Sequence, residues 1–351
     1  MTGPPAERGG VGGGAPDVND GEAGGLFCAE GAAAAAAPFV QPRDERGRFV
    51  NLDGSGPKRF RDVLRWSVWD RLAGRRRRSP GRAPVPTVDP GPLGAPPAAG
   101  EPARITWIGH ATFLLQLDGT SLIVDPVFGR VAGRLPRNVE PGVPLERLPR
   151  VDAVLVSHDH YDHLDVPSLR RLSAPVHAGL GVSRLLAAHG LRCAELGWWQ
   201  TVRVGAVEVT FVPSQHWSRR LLGDANRTLW GGFVVRGARA TIYHSGDTGY
   251  FAGFAEIGRR FEVDAALLPI GAYDPAWFMS PQHLSPEDAL RAFRDLGART
   301  FFAMHWGTFK LSDEPLDEPP RRLEAERARL GLDRRRVRVL AIGEAAEVAR
   351  R

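Results

Sequence analysis

Between residues 157 and 165 the chain reads Ser-His-Asp-His-Tyr-Asp-His-Leu-Asp. His158, His160, Asp162 and His163 crowd into six positions directly after an apolar run. Polar groups buried without partners cost free energy, and a divalent metal is a partner that suits neutral imidazole and carboxylate. Residues two apart share a face in extended chain, whereas a helix would splay His158 and His160. The cluster therefore reads as a loop leaving the C-terminal end of a strand; a solvated histidine-rich turn is the plainer and less favoured alternative. Four donors exceed the three or so that one catalytic zinc takes, and so short a loop cannot turn them all on one ion. Two metals are the economical reading, with His216, Asp247 and His305 as the remaining candidates. Asp247, in a Gly-Asp-Thr-Gly turn, is exposed enough to bridge two ions.

These donors need strands behind them. Apolar or alternating runs predict strands over 104–108, 112–117, 121–124, 153–156, 176–178, 207–212, 230–235, 241–243, 265–268, 301–304 and 337–342. Asp118-Gly119 forms a hairpin turn. Helices are expected from Pro167, from Val182 to a Gly190 stop, after Ser285-Pro286, and over 321–329. Asp125, His158, His216, Asp247 and His305 each follow a buried strand, and in layered α/β folds sites assemble at strand C-terminal ends.

The remainder of the chain bounds the setting. A length of 351 residues allows a sizeable core. Net charge is +6, but residues 58–82 carry ten basic against two acidic residues, so the rest is close to −2. Cys28 and Cys193 form no framework or metal-binding spacing. Neither a signal peptide nor a membrane-spanning run is evident, which predicts a cytoplasmic protein with a peripheral contact at the inner membrane face as an option. Residues 1–40 read as a disordered low-complexity arm, 41–102 as a basic Trp-containing helix with a Pro/Gly linker, and 103–351 as the catalytic domain. Phe60, Leu64, Val68 and Leu72 form a helical ladder beside a run of arginines. Two readings stay level: contact with an anionic membrane through residues 58–82, or packing on the core with a solvated arginine tail. Nucleic acid is less favoured because no motif accompanies the arginines.

The motifs together resemble the metallo-β-lactamase superfamily, whose His-x-His-x-Asp-His signature is matched by His158, His160, Asp162 and His163. More narrowly, the chain resembles the N-acylphosphatidylethanolamine-hydrolysing phospholipase D family and its bacterial relatives. The matching segments include Gly109-His110-Ala111-Thr112, Gln215-His216-Trp217, Gly246-Asp247-Thr248-Gly249-Tyr250 and Met304-His305-Trp306-Gly307, in the family's order across roughly residues 104–320. The resemblance implies an α/β (α+β) fold, a four-layer αββα sandwich with the site at one edge of two sheets. It implies two zinc ions, with manganese or iron as alternatives. One would be held by His158, His160 and His216, the other by Asp162, His163 and His305, with Asp247 bridging and Asp125 supporting the histidine loop. Two such ions would acidify water to a nucleophile that attacks phosphorus in line.

His283 matches a family position close to the substrate phosphate, and a role toward substrate or leaving group is favoured over helix-entry packing. His110 fits a supporting place beside the ligands or a structural hydrogen bond equally well. His244 is set aside because strand alternation points it away from Asp247, and His177 and His189 lack partners. Trp198, Trp199, Trp217, Trp230, Trp277 and Phe278 suit either a core or the walls of an acyl-chain groove. The leading expectation is a zinc phosphodiesterase acting on a phospholipid. A metal-dependent lactonase on a small phosphorylated substrate is the alternative, and a non-catalytic metal-bearing lipid binder is less favoured.

Overall fold

The computed structural model describes residues 40–221 and 223–349. The expectation of disorder over residues 1–40 therefore falls almost wholly outside the described residues. Among those described, two seven-stranded sheets face each other. The first contains β1 (Ala103–Gly109), β2 (Thr112–Leu117), β3 (Thr120–Val124), β4 (Ala153–Val156), β5 (Val176–Gly179) and β6 (Cys193–Leu196). The second contains β7 (Thr201–Val204), β8 (Val207–Val212), β9 (Gly232–Arg236), β10 (Thr241–His244), β11 (Ala265–Pro269), β12 (Thr300–Met304) and β13 (Val337–Arg338). A last strand, β14 (Ala345–Val348), returns to pair antiparallel with β1 at the edge of the first sheet.

The helices begin with α1 (Phe60–Leu64), which passes through a π-helical turn (Arg65–Trp69) into α2 (Asp70–Leu72). They continue with α3 (Val166–Leu172), α4 (Val182–Ala187), α5 (Gly253–Phe261), α6 (Ala276–Met279), α7 (Pro286–Asp295) and α8 (Glu318–Arg329). Strand periodicity decides the layering. Phe113, Leu115 and Leu117 of β2 point into the core between the sheets, while Leu114 points out. Ile123 of β3 and Val154 and Val156 of β4 join Leu114 beneath Leu169 of α3 and Val182 and Leu186 of α4. Phe254 and Ile257 of α5 with Leu290 and Phe293 of α7 cover the second sheet. The result is the four-layer αββα sandwich that the motifs implied.

Sheet direction brings the site together. β3 runs parallel to β4, and β10, β11 and β12 run parallel to one another. β8 and β10 are both antiparallel to β9, so they share that direction too. The residues after β3, β4, β8, β10 and β12 therefore emerge at one edge.

β6, β7, β14, α5 and α6 have no counterpart among the sequence expectations, and two other expectations change. β6 and β7 end their sheets, and their mixed, partly exposed residues carry no apolar run to announce them. The expected strand over 337–342 stops after Arg338. Beyond it the backbone of Ile342 exchanges hydrogen bonds with Pro86 and Val88 instead of the sheet. The Phe60–Leu64–Val68–Leu72 ladder does not pack on the body. Val63, Trp66, Ser67 and Asp70 form the inward face, with Trp66 stacked on Phe278 at 4.7 Å and Asp70 buried between Arg65 and Arg75. Phe60 is 80% exposed, Leu72 76% and Trp69 61%, so the ladder is left to solvent. Packing on the body thus holds for the inward face, and the outer face is exposed.

Candidate metal centre

The histidine loop starts where β4 ends and is held from β3. Asp125, at φ +44, turns its carboxylate back toward the loop. Oδ1 accepts the Ser157 backbone N–H at 2.7 Å, and Oδ2 accepts Ser157 Oγ–H and His163 Nδ1–H, each at 2.7 Å. Because the Ser157 hydroxyl spends its proton on Asp125, its oxygen must accept from His158 Nδ1 at 3.0 Å. On the opposite side, His216 Nδ1–H donates to the Gln282 carbonyl at 2.8 Å. Three imidazoles thereby have their outer nitrogen protonated and their Nε2 lone pair turned inward, the arrangement that ligating histidines need.

The inward nitrogens converge. His160 Nδ1 lies 2.9 Å from His158 Nε2 and 3.2 Å from His216 Nε2. In a tetrahedral zinc site with bonds of about 2.0–2.1 Å, donor atoms stand roughly 3.3 Å apart. A second set forms beside it. Asp162 Oδ2 lies 3.7 Å from His163 Nε2 and 3.6 Å from His305 Nε2. Asp247 touches both sets. Its Oδ2 is 3.3 Å from His163 Nε2 and 4.0 Å from His216 Nε2, and its Oδ1 is 3.0 Å from His305 Nε2. The turn that carries Asp247 requires glycine before it: Gly246 has φ +59, and a Cβ there would lie 2.7 Å from both Gly231 O and Ser157 Cβ.

All seven residues are buried or nearly so, yet His163 Nε2, His305 Nε2 and Asp247 Oδ1 have no hydrogen-bond partner. The electrostatics show what is missing. Burial and the facing imidazoles hold His158 and His216 well below the usual histidine range, and burial pushes His160 down to about 4. Against the same burial, Asp247 and its neighbouring carboxylates pull His163 well up and His305 up to about 9. The centre demands positive charge, which either protons or cations satisfy. The donor set fits metal ions by chemistry, spacing and unpartnered atoms alike.

The structure also positions the supporting candidates. His110, at φ +55, is neutral because burial pushes it down to about 3. Its Nε2–H donates to Asp162 at 3.1 Å, while its ring packs 4.0 Å from that of His305. It touches the second donor set from outside. His283 places Nδ1 3.7 Å from Asp247 Oδ2, is pushed down to about 3 by burial, and has no partner at that nitrogen. His244 bonds the Ala111 carbonyl at 2.9 Å and stays out of the centre. Trp198 and Trp230 are core, whereas Trp217 packs against His160 and Trp277 is 41% exposed.

Three contributors escaped sequence reasoning. Ser157 was legible only as a loop residue, and Gln282 acts through its backbone carbonyl, which leaves no side-chain signature. Asn51, from the segment before the expected domain, is 1% exposed and clasps His216. Its Oδ1 accepts the His216 N–H and its Nδ2 donates to the His216 carbonyl, both at 3.0 Å.

Comparison with known proteins agrees with this geometry. A beta-lactamase superfamily domain profile matches residues 120–306. An uncharacterised protein of Mycobacterium tuberculosis is 38% identical over 85% of this chain and 82% of its own. A metal-dependent hydrolase of Methanopyrus kandleri is 32% identical over 66% of this chain and 94% of its own. The N-acyl-phosphatidylethanolamine-hydrolyzing phospholipase D 1 of Caenorhabditis elegans is 35% identical over 59% of this chain, which spans 64% of that enzyme. Among solved structures, the Igni18 metallo hydrolase of Ignicoccus hospitalis shares the fold, with a TM-score of 0.55 at 24% identity over 70% of this chain and 98% of its own. With two donor sets at the shared edge of its sheets and these relatives, the chain belongs to the beta-lactamase superfamily and is a metal-dependent hydrolase.

Proposed function

We propose that this hydrolase is a dinuclear zinc phosphodiesterase of the phospholipase D type, acting on N-acylphosphatidylethanolamine-like phospholipids. The observation that carries the reading is Asp247, whose Oδ1 lies 3.0 Å from His305 Nε2 and whose Oδ2 stands between His163 Nε2 at 3.3 Å and His216 Nε2 at 4.0 Å, next to both donor sets. In this reading His158, His160 and His216 would hold one ion and Asp162, His163 and His305 the other, with Asp247 available to both. When bound, the ions supply Lewis acidity toward phosphoryl oxygens and acidify water toward neutrality. The chain's own residues do the rest. Asp125 and Ser157 keep the imidazole lone pairs inward, and His110 orients the Asp162 carboxylate. His283, neutral and unpartnered at Nδ1, is placed to take the proton released by the attacking water and to return it to the departing oxygen of the N-acylethanolamine.

The phospholipid assignment draws on the similarity to the Caenorhabditis elegans enzyme and on the surface beside the centre. Exposed Phe60, Leu64, Val68, Trp69 and Leu72 lie among arginines, on a helix stacked through Trp66 against the α6 segment that leads to His283. That combination suits peripheral contact with an anionic membrane. The decisive experiment is a metal count on the purified protein, paired with an assay on detergent-dispersed N-acylphosphatidylethanolamine. About two zinc ions per chain and release of phosphatidate are expected, and Asp247→Asn should lower both. One ion per chain would end the dinuclear reading; full metal without phosphatidate would end the substrate assignment. Turnover of lactones instead would place the chemistry at carbon.

A further inference from the structure

Lys58 stands apart from the other cations of the chain. The only other lysine, Lys310, donates to the carbonyls of Ser312 and Glu314. Lys58 has no such partner. Its Nζ lies 3.8 Å above the Phe278 ring and 3.9 Å from Met279 Sδ, and among the described residues no carboxylate pairs with it. Burial alone pushes the ammonium down to about 8. A cation over an aromatic face recovers only part of what withdrawing an ammonium from water costs. The fold therefore tolerates a poorly compensated charge at this position.

The position points inward. Phe278 and Met279 close α6, and the next turn delivers the Gln282 carbonyl to His216 and His283 Nδ1 to the neighbourhood of Asp247. Lys58 is thus seated against the end of the helix whose following turn carries His283. An ammonium on a four-carbon stem can swing toward an anionic oxygen without the fixed geometry of a guanidinium.

We infer that Lys58 binds the anionic phosphodiester of the substrate, its ammonium contacting a non-bridging phosphate oxygen beside His283. The inference rests on the phosphodiesterase reading and names a residue outside the metal-ligand set that selects a charged substrate. It also explains the poor local compensation: a site that binds phosphate retains a cation at some cost to stability.

The test uses the full-length, metal-loaded protein and its Lys58→Met and Lys58→Arg variants. The probes are bis(p-nitrophenyl) phosphate for turnover and inorganic phosphate for calorimetric binding. Vesicles of phosphatidylcholine with phosphatidylglycerol report attachment to a lipid surface. Loss of one charge-assisted hydrogen bond should raise KM and the phosphate Kd of Lys58→Met about tenfold or more. The same variant should keep kcat within about threefold, melt no lower than wild type and bind vesicles unchanged. Lys58→Arg should stay within about threefold of wild type in KM. Unchanged KM and phosphate binding overturn the inference. So does lost vesicle attachment with unchanged KM, which would assign the lysine to bilayer headgroups. A lower melting temperature in both variants would make the residue structural and overturn it as well. If wild type fails to turn over the diester, the phosphodiesterase reading falls, and phosphate calorimetry still decides the role of Lys58.

Discussion

Replacing Asn51 by alanine should weaken a metal site from a segment that supplies none of the proposed metal ligands. The side-chain amide pairs with the N–H and the carbonyl of His216, as a neighbouring strand would. Alanine leaves both groups buried and unpaired, at about 1–3 kcal/mol each. The Trp230 indole N–H loses Asn51 Oδ1 but keeps the Ser214 carbonyl at 3.0 Å, and the lost contacts to exposed Ser55 matter little. A total of roughly 2–6 kcal/mol corresponds to a fall of roughly 3–9 °C in melting temperature for a domain of about 300 residues. The loosened His216 should lower affinity for the ion it faces about 10–100-fold, as removal of supporting contacts typically does. Asn51→Asp keeps the acceptor for the N–H but sets a buried oxygen against the His216 carbonyl, so it should be no better than alanine. Calorimetric melting of metal-stripped and metal-loaded protein, with chelator competition, separates the two effects. An Asn51→Ala protein that melts within about 1 °C of wild type and keeps its metal affinity would refute the reasoning.

Asp125→Asn should weaken metal binding about 10–100-fold, because an amide has one acceptor oxygen and cannot take the Ser157 N–H now held by Oδ1 as well as the Ser157 Oγ–H and His163 Nδ1–H held by Oδ2; equal affinity in chelator competition would count against it. Stability should rise with pH between about 8 and 10.5. The buried Lys58 ammonium loses its proton near 8 in the folded chain, whereas the unfolded chain holds it to about 10.4. Lys58→Met should flatten that slope in denaturant titrations, and a slope equal to wild type would exclude Lys58 as its source. Trp66→Ala should cost about 2 kcal/mol through the lost stack on Phe278, while Trp69→Ser should leave melting unchanged and reduce vesicle binding. The reverse pattern would mean that the helix faces have been assigned the wrong way round.

Much of the centre was legible in sequence because its determinants are local. The period of two in the strands sorts side chains between the inter-sheet core and the helix layer, so buried strands and their polar exits can be read off. The clustering of His158, His160, Asp162 and His163 declares a metal loop without any fold, their places after buried strands made His216, Asp247 and His305 candidates, and the resemblance carried by the later motifs assigned them to the two ions. What remained hidden depends on contacts between distant parts of the chain. Asn51 and His216 are 165 positions apart, and no periodicity links them. The carbonyl of Gln282 and the lone-pair direction of His158 follow from how loops meet, not from residue type. The helix over residues 60–72 shows the limit most clearly. Its apolar ladder predicts a helix correctly, but its orientation was settled by the Trp66 stack on Phe278 and the arginines around Asp70. Helical periodicity shows which residues share a face, and only tertiary packing chooses the face that is buried. Lys58 follows the same rule: in the sequence it is one more cation, and only its unpaired seat over Phe278 gives it a role.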